Sequence, residues 1–185
     1  MATVTTGMTV SLDGFVSDAQ GSASLPYTDL EELGGTDYMN AEIDQTGAVV
    51  MGRRTFEMGD PDSYVGNYEF QVPIFVVTHH PPDTAPKQDD HLTFTFVTDG
   101  VESAIDQAKT AAGDKVVQVV GGPNVIQQLF RAGLVDELHL DVMPVVLGGG
   151  LRLFENVDPE RLRLEKLRVQ EVGARTILIC RVIGE

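Results

Sequence analysis

Tryptophan is absent from this sequence, cysteine occurs once, and lysine and arginine together account for 13 of its 185 residues. Each shortage excludes something. The single thiol, Cys180, forms no internal disulfide and cannot build a multi-cysteine zinc site. Against 28 acidic side chains the few cations leave a formal net charge of −15, with no basic stripe of the kind that nucleic-acid or membrane-surface binding demands. No apolar run approaches the roughly 18 residues of a membrane span. The start, Met1-Ala2-Thr3-Val4, lacks the basic segment of a signal peptide and runs straight into a strand pattern, so a cytoplasmic location is expected. The histidines His79, His80, His91 and His139 show no helical His-x-x-x-His spacing, and no metal is expected. Three motifs are missing as well. There is no Gly-x-Gly-x-x-Gly after the first strand, no Gly-Lys-Ser/Thr of a P-loop and no Gly-x-Ser-x-Gly elbow of a serine hydrolase.

What is present reads as one globular domain over residues 1–185, with 42% apolar and 22% charged residues. Strand patterns cover Val4 to Leu12, Ala48 to Met51, Ile74 to Val77, Leu92 to Val97, Val116 to Val120 and, largely extended, Leu134 to Val146. Thr28-x-x-Glu31 resembles a capping box ahead of a short helical turn ended by Gly34-Gly35. A helix is expected from Thr36 to Thr46, with Met39 and Ile43 on one face. Another is expected to be capped by Asp99 and ended by Gly113, and a third runs from Asn124 to Ala132. The turn formers between Asp60 and Gln71 read as a loop. Short apolar strands alternating with helices predict an α/β fold in three α/β/α layers, with a mixed, mainly parallel sheet of about eight strands. The last two strands, Leu162 to Val169 and Thr176 to Ile183, are too close for a crossover and form an antiparallel C-terminal edge.

Ligands on such sheets collect beyond the carboxyl ends of the strands, where helix N-termini present free N–H groups. At Val120-Gly121-Gly122-Pro123-Asn124 two glycines let a phosphate approach the backbone, and Pro123 suits a first helical position; a bare tight turn is the other reading. Gly52-Arg53-Arg54-Thr55 places two guanidinium groups and a hydroxyl at a helix start, either as a phosphate site or as a solvated basic pair. Thr78-His79-His80 closes a third strand and offers a further anion contact or an exposed loop. Asp13-Gly14 is either a hairpin turn or an acid at the end of the first strand inside the cleft. Asp37 is a second candidate acid, or a carboxylate placed to suit a helix N-terminus. Gly148-Gly149-Gly150 reads as a hinge or as backbone close to a ligand.

The order Ser11-Leu12-Asp13-Gly14, then Val50-Met51-Gly52-Arg53-Arg54-Thr55-Phe56, then Val120-Gly121-Gly122, resembles the dihydrofolate-reductase superfamily. The stretch from Ala132 through Leu138-His139-Leu140 to Pro144 and Gly150 is similar to its riboflavin-biosynthesis reductase branch, the C-terminal domain of the bifunctional deaminase-reductases. The lone cysteine cannot supply the zinc motif of a deaminase half. The resemblance implies a dihydrofolate-reductase-like fold and an NADPH-dependent oxidoreductase similar to 5-amino-6-(5-phosphoribosylamino)uracil reductase, passing hydride to a small pyrimidine- or pterin-like substrate. Dihydrofolate reduction, or nucleotide binding without catalysis, are the alternatives. It implies further that Gly52, Arg53, Arg54 and Thr55 hold phosphates of NADPH, with Thr78 and His79 near its adenosine end. Gly121, Gly122, Pro123 and Asn124 would cradle the pyrophosphate, and Val120 would lie near the nicotinamide. Asp13, Gly14 and Asp37 would border the substrate, with Asp13 assisting proton transfer. A homodimer is expected on the same ground. Two departures bear on the substrate: the loop Gly59 to Tyr64 lacks a basic residue for a substrate phosphate, and the first loop has no tryptophan.

Overall fold

A computed structural model describes residues 2–184. In chain order its elements are β1 (Val4–Ser11), β2 (Phe15–Ser17), α1 (Leu30–Leu33), α2 (Asp37–Gln45), β3 (Thr46–Gly52), α3 (Arg53–Phe56), β4 (Ile74–Val77) and β5 (Phe94–Val97). Then follow α4 (Val101–Ala112), β6 (Val116–Gly121), α5 (Pro123–Arg131), β7 (Glu137–Met143), β8 (Leu151–Arg152), β9 (Arg163–Val172) and β10 (Arg175–Ile183). A single 3-10 turn, Pro61–Ser63, interrupts the loop that the turn formers predict.

The unbroken apolar runs become strands because both faces of the sheet are covered. In β3, Ala48 and Val50 enter one core with Ile105 and Ala108 of α4 and Val125 and Leu129 of α5. Val49 and Met51, pointing the other way, enter a second core with Phe56 of α3, Tyr64, Phe70 and Phe94, against which Met39 and Ile43 of α2 pack. The eight-stranded sheet runs β5-β4-β3-β6-β1-β7-β10-β9. All its neighbours are parallel except β10, which is antiparallel to both β7 and β9. This is the dihydrofolate-reductase-like arrangement, mainly parallel with an antiparallel C-terminal edge.

Three local expectations are corrected. The capping box at Thr28 and Glu31 does not form: α1 starts after Asp29, whose carboxylate makes no cap and bonds Arg175 instead. Gly100, with φ of 114°, takes the N-cap of α4 in place of Asp99, and α4 is held by its buried stripe Val101, Ala104, Ile105, Ala108 and Ala112. Asp13-Gly14 is a tight turn, with the Gly14 N–H donating to the Ser11 carbonyl at 2.9 Å, yet it closes no hairpin. The strand that follows it, β2, pairs instead with β8 in a separate two-stranded sheet that the sequence pattern does not reveal. The helix expected from Thr36 to Thr46 forms as α2, with Thr36 as its N-cap, the Thr36 hydroxyl accepting the Met39 N–H at 3.2 Å.

Candidate functional site

The topology itself makes a crevice. Chain leaving β3 passes into α3, whose Phe56 joins the core on one face; chain leaving the adjacent β6 passes into α5, whose Val125 and Leu129 join the core on the other. Neighbouring parallel strands whose connections part to opposite faces open a gap beyond their carboxyl ends, the place where open α/β sheets bind ligands. Three of the sequence junctions meet there. Met51 pairs with Gly121 across β3 and β6, and Gly52 pairs with Val77 across β3 and β4, so that Thr78, Arg53 and Gly122 leave adjacent strand ends. With β1 next in order, Asp13 ends the row. Three inter-strand steps of about 4.8 Å separate Thr78 from Asp13, roughly 14 Å.

The glycines at the centre of the row leave it open. A Cβ on Gly52 would stand 3.1 Å from Val125 Cγ2 and 3.4 Å from the Gly122 nitrogen. Gly121 has φ of 123°, which side chains rarely adopt, and the Gly121–Gly122 peptide is cis. A Cβ on either Gly121 or Gly122 would come within 3.6 Å of the Thr55 hydroxyl, so Thr55 belongs to the same cradle. Pro123 is the first residue of α5 and Asn124, exposed, accepts the Gln128 side-chain amide at 2.6 Å. Val120 packs at the margin of the α3-side core.

On the β4 side lies a cavity of about 280 Å³ lined by Arg53, Phe56, Glu57, Thr78, His80 and Pro81, among others. Arg53 donates from Nε to Glu57 at 2.6 Å, an i,i+4 pair that points the guanidinium while using one of its five N–H donors. Thr78 shapes the wall: its hydroxyl donates to the His80 carbonyl at 3.0 Å and accepts the His80 N–H at 3.1 Å. His80 therefore lines the cavity, and His79 is exposed outside its lining. Arg54 is exposed on α3.

At the other end of the row, Asp13 accepts three hydrogen bonds: from the Ser11 hydroxyl at 2.6 Å and the Leu147 N–H at 3.1 Å, both on Oδ1, and from the Gly148 N–H at 2.8 Å on Oδ2. These donors, Ser11 foremost, hold its carboxyl down to about pKa 2. The Gly148–Gly150 segment is accordingly a clasp on the β1 turn rather than a hinge. Gly150, φ 133°, lies so close to the Ser17 carbonyl that no side chain fits. Gly14 is adjacent, and Arg152 lies over the Phe15 ring at 4.2 Å. Asp37 is exposed at the first position of α2.

Two buried polar groups escaped the sequence reading. Arg175, 1% exposed, is bonded to Asp29, Asp141 and Thr9. His139 lies between Glu42 at 3.5 Å and Glu137 at 3.4 Å. Neither carries a local sequence signal of burial: Arg175 stands at the start of β10, and His139 alternates with Glu137 and Asp141 along β7.

The fold and this row of glycine-opened strand ends define an α/β domain of the dihydrofolate-reductase-like class. The chain belongs to the RibD C-terminal domain family, whose model matches residues 2–178. Among relatives it is 29% identical over 157 residues to the uncharacterized protein YwjB of Bacillus subtilis, covering 84% of this chain and 85% of that protein. Among solved structures it is similar to a putative riboflavin biosynthesis protein from Shewanella sp. PV-4, with TM-score 0.73, 21% identity and 99% of each chain covered. It is also similar to dihydrofolate reductase from Enterococcus faecalis complexed with NADP(H), with TM-score 0.63, 17% identity and coverage of 97% and 96%. No helix among the described residues is long and apolar enough to cross a membrane.

Proposed function

We propose that the chain is an NADPH-dependent reductase of the riboflavin-biosynthesis type, acting on a small pyrimidine- or pterin-like substrate similar to 5-amino-6-(5-phosphoribosylamino)uracil. The observation that carries the reading is the convergence of Gly52, Thr55, Gly121 and Gly122 on one crevice, with Arg53 on the wall of the adjoining cavity. The residues fit a phosphorylated dinucleotide. Gly52 packs against Val125 and the Gly122 nitrogen, whereas a Cβ on Gly122 would meet only the Thr55 hydroxyl within 4 Å, so there is room beside Gly122 and Thr55 for a ligand to approach the backbone. The Arg53 Nη groups are free of the Glu57 contact, which uses Nε. Phe56, Pro81 and His80 give the cavity flat, partly apolar walls that suit an adenine ring.

In this reading Gly52, Arg53, Arg54 and Thr55 bind phosphate, Thr78 and His79 stand at the adenosine end with His80 on the cavity wall beside them, and Gly121 to Asn124 at the head of α5 receive the pyrophosphate. The NADP(H) found in the Enterococcus neighbour is in keeping with this. Bound there, the cofactor supplies hydride. Val120 then stands near the reacting ring while Asp13, Gly14 and Asp37 border the substrate. Asp13 serves as an ionised acceptor that orients polar groups and keeps the clasp shut. Its lowered pKa makes it unsuited to donating a proton near neutrality. The assembly expected is a homodimer, which light scattering on the eluting protein measures directly.

The test is a thermal shift with NADPH and NADH. At about 100 times its dissociation constant a ligand stabilises by roughly 2.7 kcal/mol, on the order of 5–10 °C for a domain of this size. NADPH is expected to give the larger shift and Arg53→Ala to narrow the gap. Equal shifts would remove the arginines from binding the adenosine 2′-phosphate, the one group NADH lacks, and no shift with either would overturn the cleft reading. Oxidation of bound NADPH across a panel of pyrimidines and dihydrofolate then separates turnover from binding alone.

A further inference from the structure

Between α3 and β4 the chain from Gly59 to Glu69 carries three acids, Asp60, Asp62 and Glu69, and no base. Irregular as it is, this loop is firmly tied. Gln71 donates from Nε2 to the Tyr64 carbonyl at 3.0 Å and to the Tyr68 carbonyl at 2.6 Å, and its Oε1 accepts the Gly66 N–H at 2.9 Å. Tyr64 is buried, donates its hydroxyl to the Phe56 carbonyl at 3.0 Å and stacks on the Phe56 ring with centroids 5.7 Å apart. Tyr68 leans on Tyr64 at 5.1 Å and sets an edge against Phe70 at 5.7 Å.

These ties leave a second cavity, of about 220 Å³, lined by Gly59, Ser63, Tyr64, Asn67, Tyr68 and Glu69. It shares no lining residue with the Arg53 cavity; the two meet at the Phe56–Tyr64 stack, Phe56 lining one and Tyr64 the other. Its polar groups are one-sided. The Ser63 hydroxyl donates to the Asp60 carbonyl at 2.7 Å and Asn67 Nδ2 to the Ser63 carbonyl at 2.9 Å. Three acceptors, Asn67 Oδ1, the Tyr68 hydroxyl and the Glu69 carboxylate, have no side-chain partner among the described residues, and no lysine, arginine or histidine lines the cavity. Glu69 is exposed as a residue, yet its carboxyl is partly withdrawn from water, and that burial raises its pKa. Burial first and the Glu69 charge second raise both tyrosine phenols, which sets the carboxylate close to the two rings. A carboxylate that loses water and gains no donor lacks a counter-charge.

We propose that this cavity binds a small organic cation, an alkylammonium, held by the Glu69 carboxylate and the Tyr64 and Tyr68 rings, with the Tyr68 hydroxyl and Asn67 Oδ1 accepting its N–H groups. The electron-rich aromatic surface and the carboxylate act on the same charge. A phosphate entering here would meet Glu69 with no cation to balance it. A hard metal ion takes six or more oxygen ligands, and one carboxylate does not supply them. The volume lies below the roughly 300–1,000 Å³ of pockets for drug-sized ligands, which limits the guest to a few carbons beside its nitrogen. The proposal goes beyond the reductase reading and does not depend on it, because no residue of the lining belongs to the proposed cofactor site.

The chain has no tryptophan, and two of its four tyrosines line the cavity, so tyrosine fluorescence reports on it directly. Titration with n-butylammonium chloride is expected to give a saturable change, and sodium phosphate and the uncharged isostere 1-butanol, at matched ionic strength, to give none. Glu69→Gln keeps the side-chain shape and removes the charge, and is expected to weaken binding roughly tenfold with the melting temperature unchanged. Tyr68→Phe, which keeps the ring and removes one acceptor, is expected to weaken it by a smaller factor. Backbone amide shifts in the parent protein are expected to cluster within 59–71. A parent protein with no saturable response would overturn the proposal, as would equal affinity in Glu69→Gln, 1-butanol binding as tightly as the cation, or shifts centred elsewhere. None of these outcomes touches the NADPH thermal shift, which decides the reductase reading separately.

Discussion

A carboxylate with three donors behaves differently from one facing water, and Asp13 shows the consequence. Its carboxyl is drawn from 3.8 to about 2 by the Ser11 hydroxyl first and the Leu147 and Gly148 amides after it. Because the folded value lies below the unfolded one, the contribution is present above about pH 3.8 and is lost as pH falls toward 2. Asp13→Asn is therefore expected to flatten the acid limb of the urea midpoint in that window and to leave its shape above about pH 5 unchanged. Parallel acid limbs in parent and variant would show that the clasp does not hold the ionised form. Gly150 supplies a companion comparison. Alanine there must enter a strained φ against the Ser17 carbonyl, at a cost of about 1–3 kcal/mol or more. Alanine at Gly149, which has open space around its Cα, is expected within about 0.5 kcal/mol of the parent. Equal losses at the two positions would contradict the clasp.

At the scale of elements, α2 is tied to the sheet by charge as well as by Met39 and Ile43. His139 of β7 is 6% exposed, between Glu42 of α2 and Glu137 of its own strand. Burial opposes the charged imidazole, but the two carboxylates, Glu42 foremost, outweigh it and raise the pKa above 6.5. A raised value means stabilisation that is full below about pH 6.5 and declines as pH rises through the folded value. The melting temperature of the parent is expected to fall across that window relative to His139→Gln, in which the slope is lost. Identical slopes would show that the imidazole is neutral throughout. How much of this was legible in the sequence depended on distance along the chain. The strands and α2 announced themselves through local periodicity, and the crevice through glycines beside helix starts, because both signals sit within a few residues. The pair Asp29–Arg175 spans 146 positions, and nothing near either residue marks the other. Asp29 even lay beside a plausible capping box, and a distant guanidinium won its carboxylate. The β2–β8 sheet was hidden for the same reason: strands of three and two residues carry no period of their own. That His80 lines the cavity beside Arg53 follows from the turn Thr78 closes, which the sequence does not mark.

For the molecule as a whole, the decisive tension is between a net charge of −15 and a crevice read as a site for a phosphorylated cofactor. The two act over different ranges. The overall charge repels an anion at a distance, and its reach is the Debye length, about 30 Å at 0.01 M salt and about 8 Å at 0.15 M. In the proposed site Arg53 and the amides at the head of α5 would act at contact distance, where charge-assisted bonds are screened far less. Adding salt should therefore remove the opposing term before the favourable one. Most basic-patch proteins do the reverse, losing anion affinity steadily as salt rises. The association rate of NADPH, followed by stopped-flow fluorescence, is expected to increase several-fold between about 0.01 and 0.15 M salt. Arg53→Ala should raise the dissociation rate at every salt concentration and leave that increase in association intact, because a single side chain changes the contact and barely alters the far field. A rate that falls with salt from the start would mean that local cations, and not the acidic surface, govern the approach.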